Sequence, residues 1–388
     1  LIAETARDPL RVLIVGAGVA GATLASLLQQ RGLHPTVVER MDHIGATGYM
    51  LGLFPLGGRV LHGLGVHDAY LERSQPMNTY EFRDGRGRLA NSYELGRFIR
   101  QYGDYQGITR GELTRCLMQG MASPRLALGT TVKSLSDTGG AVKAVFSDGT
   151  PGTFDLVVGA DGMHSAVRDM ILDPSEYSYW DSGWGGWVTW MDHDAQQADT
   201  YTECWGPGYF AGLYPVKNAL AGFVGGRRDR MAALGRKQFA GMVEARLSQG
   251  LDTAPKIAAA VRNADEPFLW SLKDCRSKHW HRGRIVLLGD AAAGFLPTAG
   301  VGASMAMHSA AALSDELSRT DAAHVTHALK LYVRRQRPAV DAAQRNSRQL
   351  ARLMMLNSRP TAWLRDRVLR FYSLKQLLKE IRGVMEGG

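Results

Sequence analysis

The sequence predicts an α/β fold in three parts: a doubly wound domain on a parallel sheet, an aromatic-rich antiparallel sheet, and C-terminal helices. Three observations carry this. Short apolar runs within residues 11–15, 285–288 and the stretch from residue 154 to Asp161 have the length of strands buried on both faces. Each runs into a turn holding either a glycine triplet or a glycine beside an aspartate. Five of the eight tryptophans, Trp180, Trp184, Trp187, Trp190 and Trp205, fall within residues 180–205, among segments broken by glycine or proline.

A chain of 388 residues is long enough for two linked domains, and 45% apolar with 21% charged residues is a globular composition. No apolar run is long enough to span a bilayer, and residues 1–10 lack the cationic start and apolar stretch of a secretion signal, so a cytoplasmic protein is expected. Cys116, Cys204 and Cys275 are widely spaced, which argues against a disulfide framework or a zinc site. His62, His67, His279 and His281 show no metal-ligand spacing either, and no metal is expected. The net charge of +9 comes from basic residues that are scattered except near the C-terminus, which suits anionic small molecules better than nucleic acid.

The first element is the strand Arg11 to Val15, followed by a helix whose Leu24, Leu27 and Leu28 share a stripe and which ends at Gly32. Gly16, Gly18 and Gly21 form a G-x-G-x-x-G pattern at this junction. The first glycine permits the turn, the second lets a pyrophosphate approach the backbone, and the third allows close helix packing. Glu39 closes the next strand, where a carboxylate accepts ribose hydroxyls and repels a 2′-phosphate. NADP is thereby disfavoured in this site, and NAD and FAD remain. The second strand ends in Asp161-Gly162, with capping of the next helix as the plainer role for Asp161. The third ends in Gly289-Asp290 and leads through Pro297, Gly300 and Gly302 into a helix of small residues.

These motifs together resemble the class A FAD-dependent monooxygenases, the para-hydroxybenzoate hydroxylase-like and salicylate hydroxylase-like flavoproteins. Gly16, Gly18 and Gly21 with Glu39 and Arg40 look like the motif for the ADP half of FAD. Asp161 and Gly162, inside the string Asp155 to Arg168, are similar to the motif shared between pyrophosphate and nicotinamide. Asp290 matches the aspartate that holds the ribityl chain, and Arg110 opens an R-x-x-L-x-x-x-L helix near FAD. The resemblance implies a Rossmann-like FAD-binding domain, with Pro297, Gly300, Val301 and Gly302 under the isoalloxazine. It also implies NADPH or NADH as a transient donor, and dioxygen as the oxidant. A flavin 4a-hydroperoxide would then hydroxylate or epoxidise an aromatic or polycyclic small molecule. The chain departs from the family at Ala293, where histidine is common, and at His308-Ser309, where Glu-Asp is common. Those departures leave open another flavoenzyme on this scaffold, a reductase-dependent halogenase or an isoprenoid reductase, or a flavin-binding homologue that does not oxygenate.

On this reading residues 1–75, 106–168 and 276–330 form the FAD-binding domain, 76–105 and 169–275 the substrate sheet, and 331–388 a helical segment. Trp187, Tyr201, Tyr209 and Tyr214 are the candidate pocket walls, and no catalytic acid or base stands out from His193, Arg59 and these tyrosines. The separation of Trp187 and Trp190 is odd, so they face opposite sides of a regular strand. Asn357-Ser358 before Pro360 starts a basic amphipathic helix with Leu364, Val368, Phe371, Leu374, Leu377, Leu378 and Ile381 at helical spacing. It can pack on the FAD domain, rest peripherally on a membrane or offer a partner surface. A monomer or a homodimer is compatible with the chain.

Overall fold

Four apolar residues, Val12–Val15, are buried at the middle of a six-stranded sheet, in one core with the helix Val19–Gln30 and with Val132, Val142, Phe146 and Phe154 of a separate three-stranded antiparallel sheet. The computed structural model describes residues 8–45, 49–121, 126–194 and 197–371. The helical positions expected at Leu374, Leu377, Leu378 and Ile381 lie outside the described residues. In the central sheet Val12–Val15 pairs in parallel with Thr36–Val38 on one side and Leu156–Gly159 on the other. Ile285–Leu287 extends the sheet in parallel beyond Leu156–Gly159. The chain thus reverses its order of strand addition at Val12–Val15, and the carboxyl ends of three neighbouring strands open on one crevice, where ligands bind in such sheets. The helix Val19–Gln30 leaves the glycine turn and buries Leu24 and Leu28 against the sheet.

A second sheet of seven strands stands apart from the first. It contains Thr79–Asp84 and Leu89–Glu94 from the early chain, then Tyr177–Asp192, Thr200–Gly206, Tyr209–Val216, Ala219–Arg227 and Phe268–Ser277. The sheet is antiparallel except for one pair, Thr79–Asp84 beside Thr200–Gly206, which runs parallel. The glycines read as breaks lie within one strand of 16 residues, Tyr177–Asp192. Gly183, at φ +73°, absorbs a register shift between Asp181 and Gly185 instead of ending the strand. One face of this sheet packs on the helices Arg228–Leu247 and Ala254–Asn263. The other face looks toward the parallel-sheet domain.

The C-terminal helices are Val325–Met354 and Arg359–Leu369. The expected boundary at residue 331 falls inside the helix Val325–Met354. No described helix is long and apolar enough to cross a membrane.

Helix Arg110–Gln119 starts with Thr109 as its cap, whose hydroxyl accepts from the Glu112 N–H at 3.1 Å. Thr109→Ala is expected to lower stability by about 1 kcal/mol in urea unfolding, since the orphan N–H loses its partner. An unchanged midpoint and slope would show that the cap contributes nothing.

Candidate active site

The crevice is built by backbone first. The Gly16 N–H donates to Val38 O at 2.7 Å, which ties the glycine turn to the next strand. Gly16 has φ +103°, and a Cβ there would lie 2.5 Å from Ala160 O. The Glu39 carboxylate accepts from the Ala17 N–H at 2.8 Å and the Met41 N–H at 3.1 Å, so it sits across the mouth of the glycine turn. Gly18 caps the helix, and the nearest atom to a Cβ built on it is an Arg110 guanidinium nitrogen at 3.5 Å. Arg110, Gly18 and Glu39 thus surround one opening at a helix N-terminus, where unpaired N–H groups attract anions. Arg40 is exposed near His164, where it adds to the burial and the charges of Lys273 and Arg168 that lower the His164 pKa.

The N-cap of the helix Ala166–Ile171 is Ser165, whose Oγ accepts from the Arg168 N–H at 2.9 Å, and Asp161 backs that cap without itself being the cap residue. Its carboxylate accepts from Ser165 Oγ at 2.5 Å and from the Val167 N–H at 3.0 Å, and burial outweighs these bonds to raise its pKa. Gly162 follows at φ +82° with open space around it. Arg168, fully buried, locks this corner by donating to Met163 O at 2.9 Å and Ala291 O at 3.3 Å, with its guanidinium over the Tyr177 ring.

Asp290 is held by Gly289, whose φ of +61° turns the chain out of the third strand. Among the described residues no hydrogen-bond donor reaches its carboxylate. Burial pushes its pKa up to about 6, against the pull of Arg110. Tyr49, which sequence reading missed, shares this space: burial and then Asp290 raise its pKa, while Arg110 lowers it. Nothing in its local sequence marks Tyr49.

The loop after Asp290 is clamped by the long C-terminal helix. Gln344 donates to Gly294 O at 2.6 Å and Cys275 O at 2.9 Å, Ser347 donates to Leu296 O at 3.0 Å, and Thr298 donates to Ser347 O at 3.0 Å. Gly300, at φ +63°, then turns the chain so that Val301 and Gly302 open the helix Gly302–Leu317. His308 and Ser309 lie at the packing of this helix on Val325–Met354, where Gln336 approaches both at 3.1 Å. Ala293 is buried and bridges Arg276. None of these three departures lines the large cavity described next.

A cavity of about 590 Å³ lies between the aromatic sheet, the Thr298–Val301 loop and the last two helices. Tyr201 and Tyr214 line it together with Phe54, Tyr80, Tyr105, Glu203 and Trp205. Tyr80, Tyr201 and Tyr214 form a stacked wall with ring centroids 4.4 and 4.9 Å apart. Trp187 and Tyr209, expected as walls, face the other side of the sheet. Trp187 packs on Phe239 at 6.0 Å, and Tyr209 is buried in the helix-facing core. Strand alternation explains the difference: Phe210, Gly212 and Tyr214 share one face, Tyr209, Ala211 and Leu213 the other. Arg59 and His193 are exposed and do not line the cavity.

Glu203 is the residue that sequence reading missed here. Its Oε2 accepts from Tyr80 O–H at 3.0 Å and Trp205 Nε1–H at 3.2 Å, and its Oε1 accepts from Tyr214 O–H at 3.0 Å. Burial outweighs these donors and raises its pKa. The alternation of Tyr201, Glu203 and Trp205 along one strand face was the available signal.

Residues 9–347 match the family described as FAD binding domain. The chain is 32% identical over 371 residues to 3-amino-4-hydroxybenzoate 2-monooxygenase of Streptomyces cremeus, covering 93% of this chain and 92% of that one. It is 27% identical over 346 residues to 6-hydroxynicotinate 3-monooxygenase of Pseudomonas fluorescens, covering 83% and 86%. Among solved structures, Klebsiella pneumoniae HpxO complexed with FAD and uric acid superposes with a TM-score of 0.87 at 22% identity, covering 97% of each chain.

Proposed function

The chain belongs to the FAD binding domain family, and from that premise we propose that it is an FAD-dependent monooxygenase acting on an aromatic small molecule. The observation that carries this is the shared loop: Gly300 and Val301 line the cavity while the same segment follows Asp290 out of the cofactor crevice. A cofactor in the crevice and a ring in the cavity would meet at the N-terminus of the helix Gly302–Leu317.

The residues present fit FAD. The space beside Gly18 and Arg110 suits a diphosphate, Glu39 suits ribose hydroxyls, and the donorless Asp290 carboxylate suits the hydroxyl-rich ribityl chain. Gly16, Gly21, Asp161 and Gly162 shape the surrounding backbone. Bound FAD, reduced by NAD(P)H, would supply the activation of dioxygen, one atom of which goes to the substrate while the other leaves as water. The chain's own part is to bind, orient and dry the site. Unpaired N–H groups at Gly302 and Ala303 favour negative charge beside the Val301 turn. The tyrosine wall holds a flat ring against that loop, and Leu350 and Leu353 exclude water from above.

Anaerobic titration of the yellow protein with NADPH and NADH, with and without phenolic and polycyclic compounds, tests this reading. The flavin bands are expected to bleach faster when a bound aromatic compound is present, and ¹⁸O from dioxygen is expected in the product. A flavin-loaded protein that neither donor bleaches would overturn the monooxygenase reading in favour of a reductase-dependent halogenase or a non-oxygenating homologue.

A further inference from the structure

We propose that Glu203 sets substrate charge: the cavity takes extended aromatic compounds that are neutral or cationic and carry an O–H or N–H donor, and it rejects ring carboxylates. The proposal rests on the cavity being the substrate site.

The first argument is acceptor geometry. A carboxylate offers about four acceptor positions, two on each oxygen. Tyr80 and Trp205 fill both on Oε2, whereas Tyr214 alone approaches Oε1. One acceptor position on Oε1 is left, on a group that lines the cavity. A substrate hydroxyl, ring N–H or ammonium fills it; a carboxylate cannot. Three fixed donors also hold the carboxylate in place, so it meets the substrate without reorganising.

The second argument is the absence of a counter-charge. Among the described residues lining the cavity, the only cation is Arg365. Its guanidinium is spent on Asp366 at 2.7 Å and on the carbonyls of Leu353, Met354 and Trp205. An anionic substrate would therefore be taken from water to face Glu203 with no ion to pair it, which is costly in a low-dielectric site. This preference is opposite to the benzoate and nicotinate substrates in the names of two relatives above. A volume of about 590 Å³ also exceeds what one ring fills, so fused or linked rings suit it.

Calorimetric titration of the FAD-loaded protein with 2-naphthol and 6-hydroxy-2-naphthoate, a pair differing only in the carboxylate, tests the proposal. The wild type is expected to bind the naphthol at least tenfold more tightly. Glu203→Gln, nearly the same shape without the charge, is expected to narrow that ratio at least fivefold, mainly through tighter binding of the naphthoate. Leu353→Lys, placing a cation at the half-exposed cavity rim, is expected to shift the ratio the same way even if Glu203→Gln loses FAD. Equal or tighter binding of the naphthoate by the wild type overturns the proposal, as does binding of neither compound or a ratio that both variants leave unchanged. NAD(P)H consumption is read separately. A charge preference without stimulated consumption sinks the monooxygenase reading alone, and consumption stimulated by the carboxylate sinks the role of Glu203 alone.

Discussion

Asp290→Ala is expected to bind FAD at least tenfold more weakly while its apo-protein melts at a higher temperature than wild type. Both effects come from the same carboxylate. In the folded chain its pKa is raised from 3.8 to about 6 because burial disfavours the charged form and no described donor compensates it. A folded-state pKa above the unfolded one means that the fold is penalised by ionisation. The penalty is absent below about pH 4, grows as pH rises through 6, and is constant above it. Its size is at most about 3 kcal/mol, from about 1.4 kcal/mol per tenfold change in proton affinity. Alanine removes it, so the gain in apo-protein melting temperature is expected at pH 8 and not at pH 4. Ribityl hydroxyls would supply the missing donors, and a hydrogen bond to a charged group contributes about 1.5–3 kcal/mol. Fluorescence titration of apo-protein with FAD and thermal melts at the two pH values give both readings. Wild-type FAD affinity in the variant would remove Asp290 from the cofactor site, and equal melting gains at both pH values would remove the burial argument.

Much of the crevice was legible because its parts are contiguous. Val12–Val15 and Gly16, Gly18 and Gly21 adjoin, as do Ile285–Leu287 and Gly289-Asp290, so strand, turn and charge are read in one stretch. The cavity was less legible because it is assembled by convergence. Its tyrosines come from Thr79–Asp84, Leu89–Glu94, Thr200–Gly206 and Tyr209–Val216, with Tyr105 from just before the strand Gln106–Thr109, and its rim from two helices far along the chain. What spacing does give is parity within a strand. Parity separates Tyr214 from Tyr209 and groups Glu203 with Tyr201 and Trp205, once one residue of each strand is placed. It gives no sign of which face will meet the cofactor domain. The single parallel pair has the same origin, since Thr79–Asp84 enters the sheet from a different part of the chain from its neighbour Thr200–Gly206.

Two alanine substitutions in the glycine turn are expected to fail in different ways. A Cβ on Gly21 would lie 1.9 Å from Gly16 O and 3.3 Å from an Ile14 methyl. Neither neighbour is free to retreat. Gly16 is bonded through its N–H to Val38 O, and its own Cα faces Ala160 O. The helix Val19–Gln30 would have to lift off the sheet, breaking the packing of Leu24 and Leu28, at a cost of roughly 3 kcal/mol or more. Gly21→Ala should therefore show a large drop in apo-protein melting temperature, FAD present or not. Gly18 is a different case. Its φ of −69° and ψ of −172° are open to any residue, and among the described residues the only contact for a new Cβ is Arg110 at an ordinary 3.5 Å. Gly18→Ala should leave the apo-protein within about 1 kcal/mol of wild type, the cost of a poorer cap. The added methyl stands between the helix N-terminus and Arg110, in the space a diphosphate needs, so FAD affinity should fall tenfold or more. Melting curves of the two apo-proteins beside their FAD titrations separate a glycine required by the fold from one required by the ligand. Wild-type FAD affinity in Gly18→Ala would place the diphosphate elsewhere, and a wild-type melt in Gly21→Ala would show that the turn is free to open.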